Sequence, residues 1–372
     1  MADIGRDRPA VAGDALSRRD QLWRRLLPRQ RAIASWLLFG LLALSCLVIS
    51  SCHARPFPRP EIPGPGAGPG QAARDTTGQK PLFMFAAIAD PHVSQALGDM
   101  YTYIKATDKS AQLLAACIHD INAHMPPVDF VVLLGDIADR GRKAEFDTAS
   151  KIMDSLKCPF YAVVGNHDNF QSDHKAAWMK FAHRDSTNYT FDRGAFHFIV
   201  IDCTKDPYPS QNGVECESSV REWVAHDLSQ NVGKHVMLFC HYNMWRRPWN
   251  PQFDTTGHYD EYPGMKEMRQ VLERAGNVCA VVNGHVHANR MEIHNGIYYI
   301  DVGATLVGRP SIRYFTVFPD RIEVSYAYIS DRALLEYVEK LGEQCTSCFD
   351  RKRVTDFADG SDADKRFTIP LK

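Results

Sequence analysis

Val131-Val132-Leu133-Leu134-Gly135-Asp136-Ile137-Ala138-Asp139-Arg140-Gly141 and, further on, Tyr161-Ala162-Val163-Val164-Gly165-Asn166-His167-Asp168 decide how this chain is read. Each begins as a run of β-branched and apolar residues, the pattern of a buried strand, then halts at a glycine and turns polar. Glycine lets the backbone turn tightly, so the next side chain projects from the carboxyl end of the strand. In open α/β sheets that edge is where ligands sit. Two successive strands therefore aim Asp136, Asn166 and His167 at one crevice. Taken singly, Gly-Asp and Gly-Asn are ordinary turn chemistry; their repetition directs attention to the other strand ends.

Upstream, Phe83-Met84-Phe85-Ala86-Ala87-Ile88-Ala89 ends in Asp90-Pro91-His92. Downstream, Val236-Met237-Leu238-Phe239-Cys240 ends in His241, and Cys279-Ala280-Val281-Val282-Asn283 leads into Gly284-His285-Val286-His287. A lone D-x-H or H-x-H carries little weight. The ordered set is specific, since Gly-Asn-His-Asp alone arises by chance in roughly one chain in a thousand.

This series resembles the calcineurin-like metallophosphoesterase superfamily, and within it the class III cyclic nucleotide phosphodiesterase branch, over about residues 83 to 328. The resemblance implies an α/β fold, a four-layer α/β/β/α sandwich of two mixed sheets with two metals at the strand ends. It implies that Asp90, His92 and His287 hold one metal, that Asn166, His241 and His285 hold the other, and that Asp136 bridges them. Purple acid phosphatases of the same superfamily carry Asp-x-Gly at the first motif and a tyrosine ligand three residues after the bridging aspartate. Those positions are His92 and Asp139 here, which argues against a tyrosinate-bound iron centre.

Oxygen and imidazole donors without cysteine suit two divalent or mixed-valence ions of manganese, iron or zinc. Two such ions about 3.5 to 4 Å apart lower the pKa of a shared water and clamp both oxygens of an in-line displacement, so no protein nucleophile is needed. The departing alkoxide still needs a proton. His167, beside Asn166 and with Asp168 or Asp139 to fix its tautomer, is the candidate general acid; rigid support of its neighbours is the alternative role. Arg140 matches the arginine of Gly-Asp-x-x-Asp-Arg-Gly in protein phosphatases of the superfamily, but Val164 stands where they have a second. A monoester carries nearly one charge more than a diester near neutral pH, so one arginine in place of two points to a diester. The segment Tyr242-Asn243-Met244-Trp245-Arg246-Arg247-Pro248-Trp249 is expected either to wall the substrate, stacking on a nucleobase, or to pack a rim loop. His197, His235 and His294 lie on strands without such context and read as structural.

The 372 residues carry a formal charge of −1 with 23% charged and 45% hydrophobic residues, a globular balance with nothing to suggest a nucleic-acid polymer as partner. Residues 1–52 read as a basic region plus a signal peptide or membrane anchor. Ala32 to Ser51 is uncharged and long enough to span a bilayer, with its arginine-rich flank on the cytoplasmic side. Ile49-Ser50-Ser51-Cys52 resembles a bacterial lipobox, so a lipidated Cys52 is the alternative to an uncleaved anchor, although the long basic region argues for the anchor. Residues 53–80 form a Pro/Gly-rich tether, 81–330 the metallophosphoesterase domain, and 331–372 a tail with a short helix, Ala333 to Leu341. The protein is thus expected to be extracytoplasmic and membrane-anchored, in the periplasm or at the cell surface.

Of the ten cysteines, the Cys203/Cys216 and Cys345/Cys348 pairs are candidate disulfides in an oxidising compartment. Cys117, Cys158, Cys240 and Cys279 read as small buried hydrophobes. Helical patterns at about Lys109 to Asn122, Lys143 to Leu156, Ser218 to Leu228 and Met265 to Ala275 alternate with strands. Gly296 to Val302, Ile312 to Phe318 and Arg321 to Tyr328 are expected to complete the second sheet. The expected activity is that of a metal-dependent phosphoester hydrolase, a phosphodiesterase whose substrate class includes nucleotides. A phosphomonoesterase and a nucleotide pyrophosphatase are the rivals on the same fold. A non-catalytic surface scaffold is disfavoured, because a binding module has no use for seven metal ligands.

Overall fold

Phe83–Ile88 forms β1, and its period-two alternation sets the layers. Phe83, Phe85 and Ala87 pack into one core, whereas Met84, Ala86 and Ile88 pack into another. The computed structural model describes residues 78–95, 105–171, 175–204, 215–245, 262–344 and 354–371. The expected N-terminal region 1–52 with Cys52, nearly all of the tether, Trp249, Cys345 and Cys348 lie outside the described residues. Among the described residues no helix is long and apolar enough to cross a membrane.

After β1 come α1 (Ser110–Ala123), β2 (Phe130–Leu133), α2 (Lys143–Met153), β3 (Phe160–Ala162), α3 (Ala176–Ala182), β4 (Tyr189–Arg193) and β5 (Phe196–Ile201). Next are α4 (Ser218–Gln230), β6 (His235–Cys240), α5 (Met265–Ala275), β7 (Val278–Asn283), β8 (Arg290–His294) and β9 (Ile297–Asp301). The chain closes with β10 (Ser311–Val317), β11 (Arg321–Tyr328), α6 (Arg332–Gln344), α7 (Val354–Asp359), α8 (Asp362–Lys365) and β12 (Phe367–Pro370).

One sheet has the order β12-β11-β10-β1-β2-β3 and the other β4-β5-β6-β7-β9-β8. Parallel pairing of β1, β2 and β3, and of β5, β6, β7 and β9, points all their carboxyl ends the same way within each sheet. Phe83, Phe85, Phe130, Phe196, Phe198, Phe239 and Phe315 fill the space between the sheets, each stabilising by about 1.5–3 kcal/mol through burial. Leu113, Phe146, Trp178 and Leu335 cover the outer face of the first sheet, and Val224, Leu228, Met268 and Leu272 that of the second. The layers are therefore α/β/β/α, built from two mixed sheets.

Three expectations are corrected. Of the three late strands only β9 joins the β5–β7 sheet; β10 and β11 extend the other one beside β1. The reason is packing: Phe315 of β10 stacks on Phe85 of β1 with ring centroids 4.4 Å apart. Nor does the catalytic domain end at residue 330, since β12 pairs with β11 antiparallel and belongs to the first sheet. Cys203 and Cys216 are buried free thiols. Cys203 Sγ also lies 3.8 Å from Cys240 Sγ, so the thiol packs among other buried sulfurs.

Candidate metal centre

Where β1, β2 and β7 end, the backbone is forced into conformations that side-chain-bearing residues avoid. Asp90 (φ 49°), His92 (41°), Asp136 (49°), His285 (68°) and His287 (53°) all have positive φ. Each such residue costs about 1–2 kcal/mol, and strain of this kind persists where the surroundings over-determine it, as functional sites do. The motif glycines allow the close approach. A Cβ on Gly135 would collide with the His241 ring, and one on Gly165 with the Asp136 backbone and carboxylate.

The strain brings the ends together. Among the described residues, side-chain donors of Asp90, His92, Asp136 and His287 lie within 4.8 Å of one another, and so do those of Asp136, His241 and His285. In the first group His92 Nε2 faces His287 Nε2 at 3.3 Å and Asp136 Oδ2 at 3.5 Å, and His287 Nε2 is 3.4 Å from Asp90 Oδ1. In the second, His241 Nε2 lies 3.4 Å from Asp136 Oδ2 and 3.1 Å from Asn166 Oδ1. Asp136 is common to both.

The surroundings fix these side chains. His241 Nδ1 donates to Leu134 O at 2.8 Å, which turns Nε2 inward. The backbone N–H of His285 donates to both Asp90 oxygens at 3.0 Å. Asn283 Nδ2 donates to the carbonyls of Cys240 and Tyr242 at 2.8 and 2.7 Å, clamping the end of β6. Tyr262 Oη is 3.1 Å from His285 Nε2, an outer hydrogen bond that orients the ring.

Electrostatics divide the histidines. Burial first, then Lys105, hold His92 well below its ordinary pKa, and the same two causes lower His287. Burial and then His241 hold His285 well below it. Burial also opposes charge on His241, but Asp136 outweighs it and pushes His241 up to about 10. Burial would raise Asp136 in turn, yet His241 and then His167 hold its carboxyl well below the usual range. Convergent oxygen and imidazole lone pairs, three of the imidazoles neutral, are a donor set that a divalent cation fits.

The remaining sequence candidates are placed differently. His167 N–H donates to Asp136 Oδ1 at 2.8 Å, and its Nδ1 donates to the Asp139 carbonyl at 2.7 Å. Burial is the main reason its pKa is brought down to about 4. The Asp168 side chain does not meet His167; it accepts from the backbone N–H groups of Ala138 at 2.8 Å and Gly165 at 2.9 Å and braces the turn. Burial, then the negative charge of Asp136, keep the Asp168 carboxyl well above the usual range. Arg140 sits at the rim, its Nε 3.6 Å from Asp139 Oδ2 and its side chain 35% exposed. Trp245 is no wall for a substrate: its ring is stacked on His294 at 3.9 Å and covered by Arg269 at 3.9 Å, so it packs the rim.

Two residues at the site had no motif to announce them. Lys105 is buried, with Nζ 3.3 Å from His92 Nε2, and burial lowers its pKa. Tyr262 is the other. Both stand alone in the sequence, and no spacing connects them to the strand-end series.

Residues 83–289 match the calcineurin-like phosphoesterase family. A protein of Rhodopseudomonas palustris named as a probable cyclic nucleotide phosphodiesterase is 24% identical over 197 residues, which cover 50% of this chain and 67% of the relative. A protein of Arcobacter nitrofigilis named as a probable glycerophosphodiester phosphodiesterase, GpdQ, is 25% identical over 205 residues, covering 53% and 72%. Among solved structures, a dimetal phosphatase from Danio rerio superposes with a TM-score of 0.54 at 16% identity, covering 67% of this chain and 97% of that one; it shares the fold.

Proposed function

Since this chain belongs to the calcineurin-like phosphoesterase family and is a metal-dependent phosphoesterase, we propose that its substrate is a phosphodiester and that two ions are held at the strand ends. The observation that carries this reading is the sharing of Asp136 by two donor groups. Asp90, His92, Asp136 and His287 would hold one ion, and Asp136, Asn166, His241 and His285 the other. Manganese, iron and zinc suit these donors. When bound, such a pair lowers the pKa of water and draws charge from the phosphoryl oxygens.

The chain's own groups supply the rest. His167 is held through Nδ1 by the Asp139 carbonyl, which leaves Nε2 as the nitrogen for the leaving oxygen. An imidazole with a pKa near 4 is neutral at pH 7, so for the acid role His167 must take up a proton before giving it to the leaving oxygen. Arg140, at the rim with its Nε 3.6 Å from Asp139 Oδ2, would be the guanidinium that meets a phosphoryl oxygen.

Two relatives named as phosphodiesterases support the diester. A monoesterase is the second reading, favoured by Lys105, a second cation 3.3 Å from His92 Nε2 that would suit a dianion. The test strips the protein of metal, restores manganese, and compares kcat/KM for a diester and a monoester with one leaving group. Diester preference is expected, with activity lost on chelation; monoester preference overturns the proposal. Export belongs to the same proposal, supported by the basic flank and apolar run before residue 52. Full-length native protein in the soluble cytosol would overturn it.

A further inference from the structure

The family match stops at Asn289, two residues past His287, and the described C-terminal segment, residues 354–371, returns to that point. Asn289 is 2% exposed and its N–H donates to Ala358 O at 2.9 Å. Its Oδ1 accepts from Gly303 N at 3.1 Å and from Arg313 Nη2 at 2.8 Å. Arg313, buried in β10, donates through Nη1 to the carbonyls of Asp364 and Lys365 at 2.9 and 2.8 Å. Arg290 reaches the carbonyls of Asn289 and Phe357 at 2.7 and 2.9 Å, and Met291 N donates to Asp364 Oδ1 at 3.0 Å. The approach is tight: a Cβ at Gly360, where φ is +73°, would collide with the Asn289 carbonyl.

The loop that this segment grips is strained at His285 and His287, whose φ values are 68° and 53°. Strain of about 1–2 kcal/mol per residue relaxes unless the surroundings forbid it. Ahead of His287 the loop is held by Asp90, through the His285 N–H. Behind it the holding groups are those around Asn289. We propose that residues 354–371 are a strap that positions His287 through Asn289, and thereby sets how tightly the ion of the Asp90, His92, Asp136 and His287 group is retained. Asn289 is a positioning residue in this scheme. The claim about retention rests on the metal reading above; the claim about the loop does not.

The test uses the full chain carrying Asn289→Ala, and Asn289→Asp, which keeps the oxygen that Gly303 and Arg313 bond. Manganese retention is read by titration against a chelator, and loop order by amide hydrogen exchange of residues 285–289 in metal-free protein. Asn289→Ala is expected to weaken one of two manganese equivalents by about ten- to a hundred-fold, the range for loss of an outer partner, and to speed exchange in the loop. Asn289→Asp should restore both readouts. Parental retention and exchange in the alanine variant overturn the proposal. Should that variant fail to fold, Arg290→Met, which removes the guanidinium from the Asn289 and Phe357 carbonyls and from the Asp364 carboxylate 4.0 Å away, is expected to move both readouts the same way, and no movement overturns the strap. A parent protein that binds no manganese overturns the metal reading and the retention claim, whereas faster exchange in the variant still supports the strap.

Discussion

Around Asp90 and His287 the imidazoles are pushed toward neutrality by burial and Lys105, whereas beside Asn166 and His285 the imidazole of His241 is carried up to about 10 by Asp136. The first donor group thus presents its nitrogens ready to bind, with the Lys105 amine 3.3 Å from His92 Nε2 as the group an ion must displace. The second presents a proton in place of a cation. One carboxylate can therefore serve two ion sites that load against different obstacles. The difference comes from the neighbours and not from the ligand types, since both groups are made of carboxylate or amide oxygen and imidazole.

The largest expected effect comes from Asp136→Asn, which strikes what the two groups share. It keeps the side-chain shape but removes the charge that holds His241 up and that Oδ2 presents to both His92 and His241. Both manganese equivalents should weaken by more than about a hundredfold, beyond the loss caused by an outer partner, as read by elemental analysis after dialysis. Loss of a single equivalent would break the comparison, because Asp136 would then serve one group only.

The next effect separates the groups by pH. His241, with a pKa pushed up to about 10, is protonated at pH 7, and its Nε2 must lose that proton to bind a cation. Affinity at the second group should therefore climb by up to about tenfold per pH unit from 7 toward 9, with release of about one proton. His92 and His287, whose pKa values are lowered, are already neutral there, so affinity at the first group should be flat and fall only in acid. Calorimetry in buffers of different ionisation enthalpy measures both. Two equivalents with the same pH slope would erase the distinction.

The strand-end ligands were legible because each follows a buried run and a turn, so position along the chain predicts position in space. What lies beside them was legible only in part. Alternation identified β10 as a strand but said nothing about which sheet it would join; that was decided by Phe315 stacking on Phe85. Trp245 follows His241 closely in sequence, yet it is turned away into Arg269 and His294. Asp168 is next to His167 but points back at the Ala138 and Gly165 amides. Lys105 reaches the site from outside every motif, and β12 spans only Phe367–Pro370, too short for its alternation to identify a sheet member. Neighbours in sequence share a backbone path, whereas neighbours in a site share a direction, and direction depends on packing that the pattern does not encode.

The smallest expected effect tests whether the second group has an outer support of its own, as Asn289 is for the first. Tyr262 Oη lies 3.1 Å from His285 Nε2, on the side of the ring that leaves Nδ1 as the remaining nitrogen for an ion. Tyr262→Phe removes that oxygen and little else, because the Tyr242 ring still packs against His285 with centroids 4.5 Å apart. The ring is therefore expected to stay in place while losing one orienting hydrogen bond. That should weaken the second equivalent by no more than about tenfold, the lower end for an outer partner, and leave the first unchanged. Stepwise manganese titration at fixed pH resolves the two. A loss confined to the first equivalent would mean that the groups communicate through Asp136 more strongly than they feel their own neighbours. No change in either would reduce the Tyr262 hydroxyl to packing.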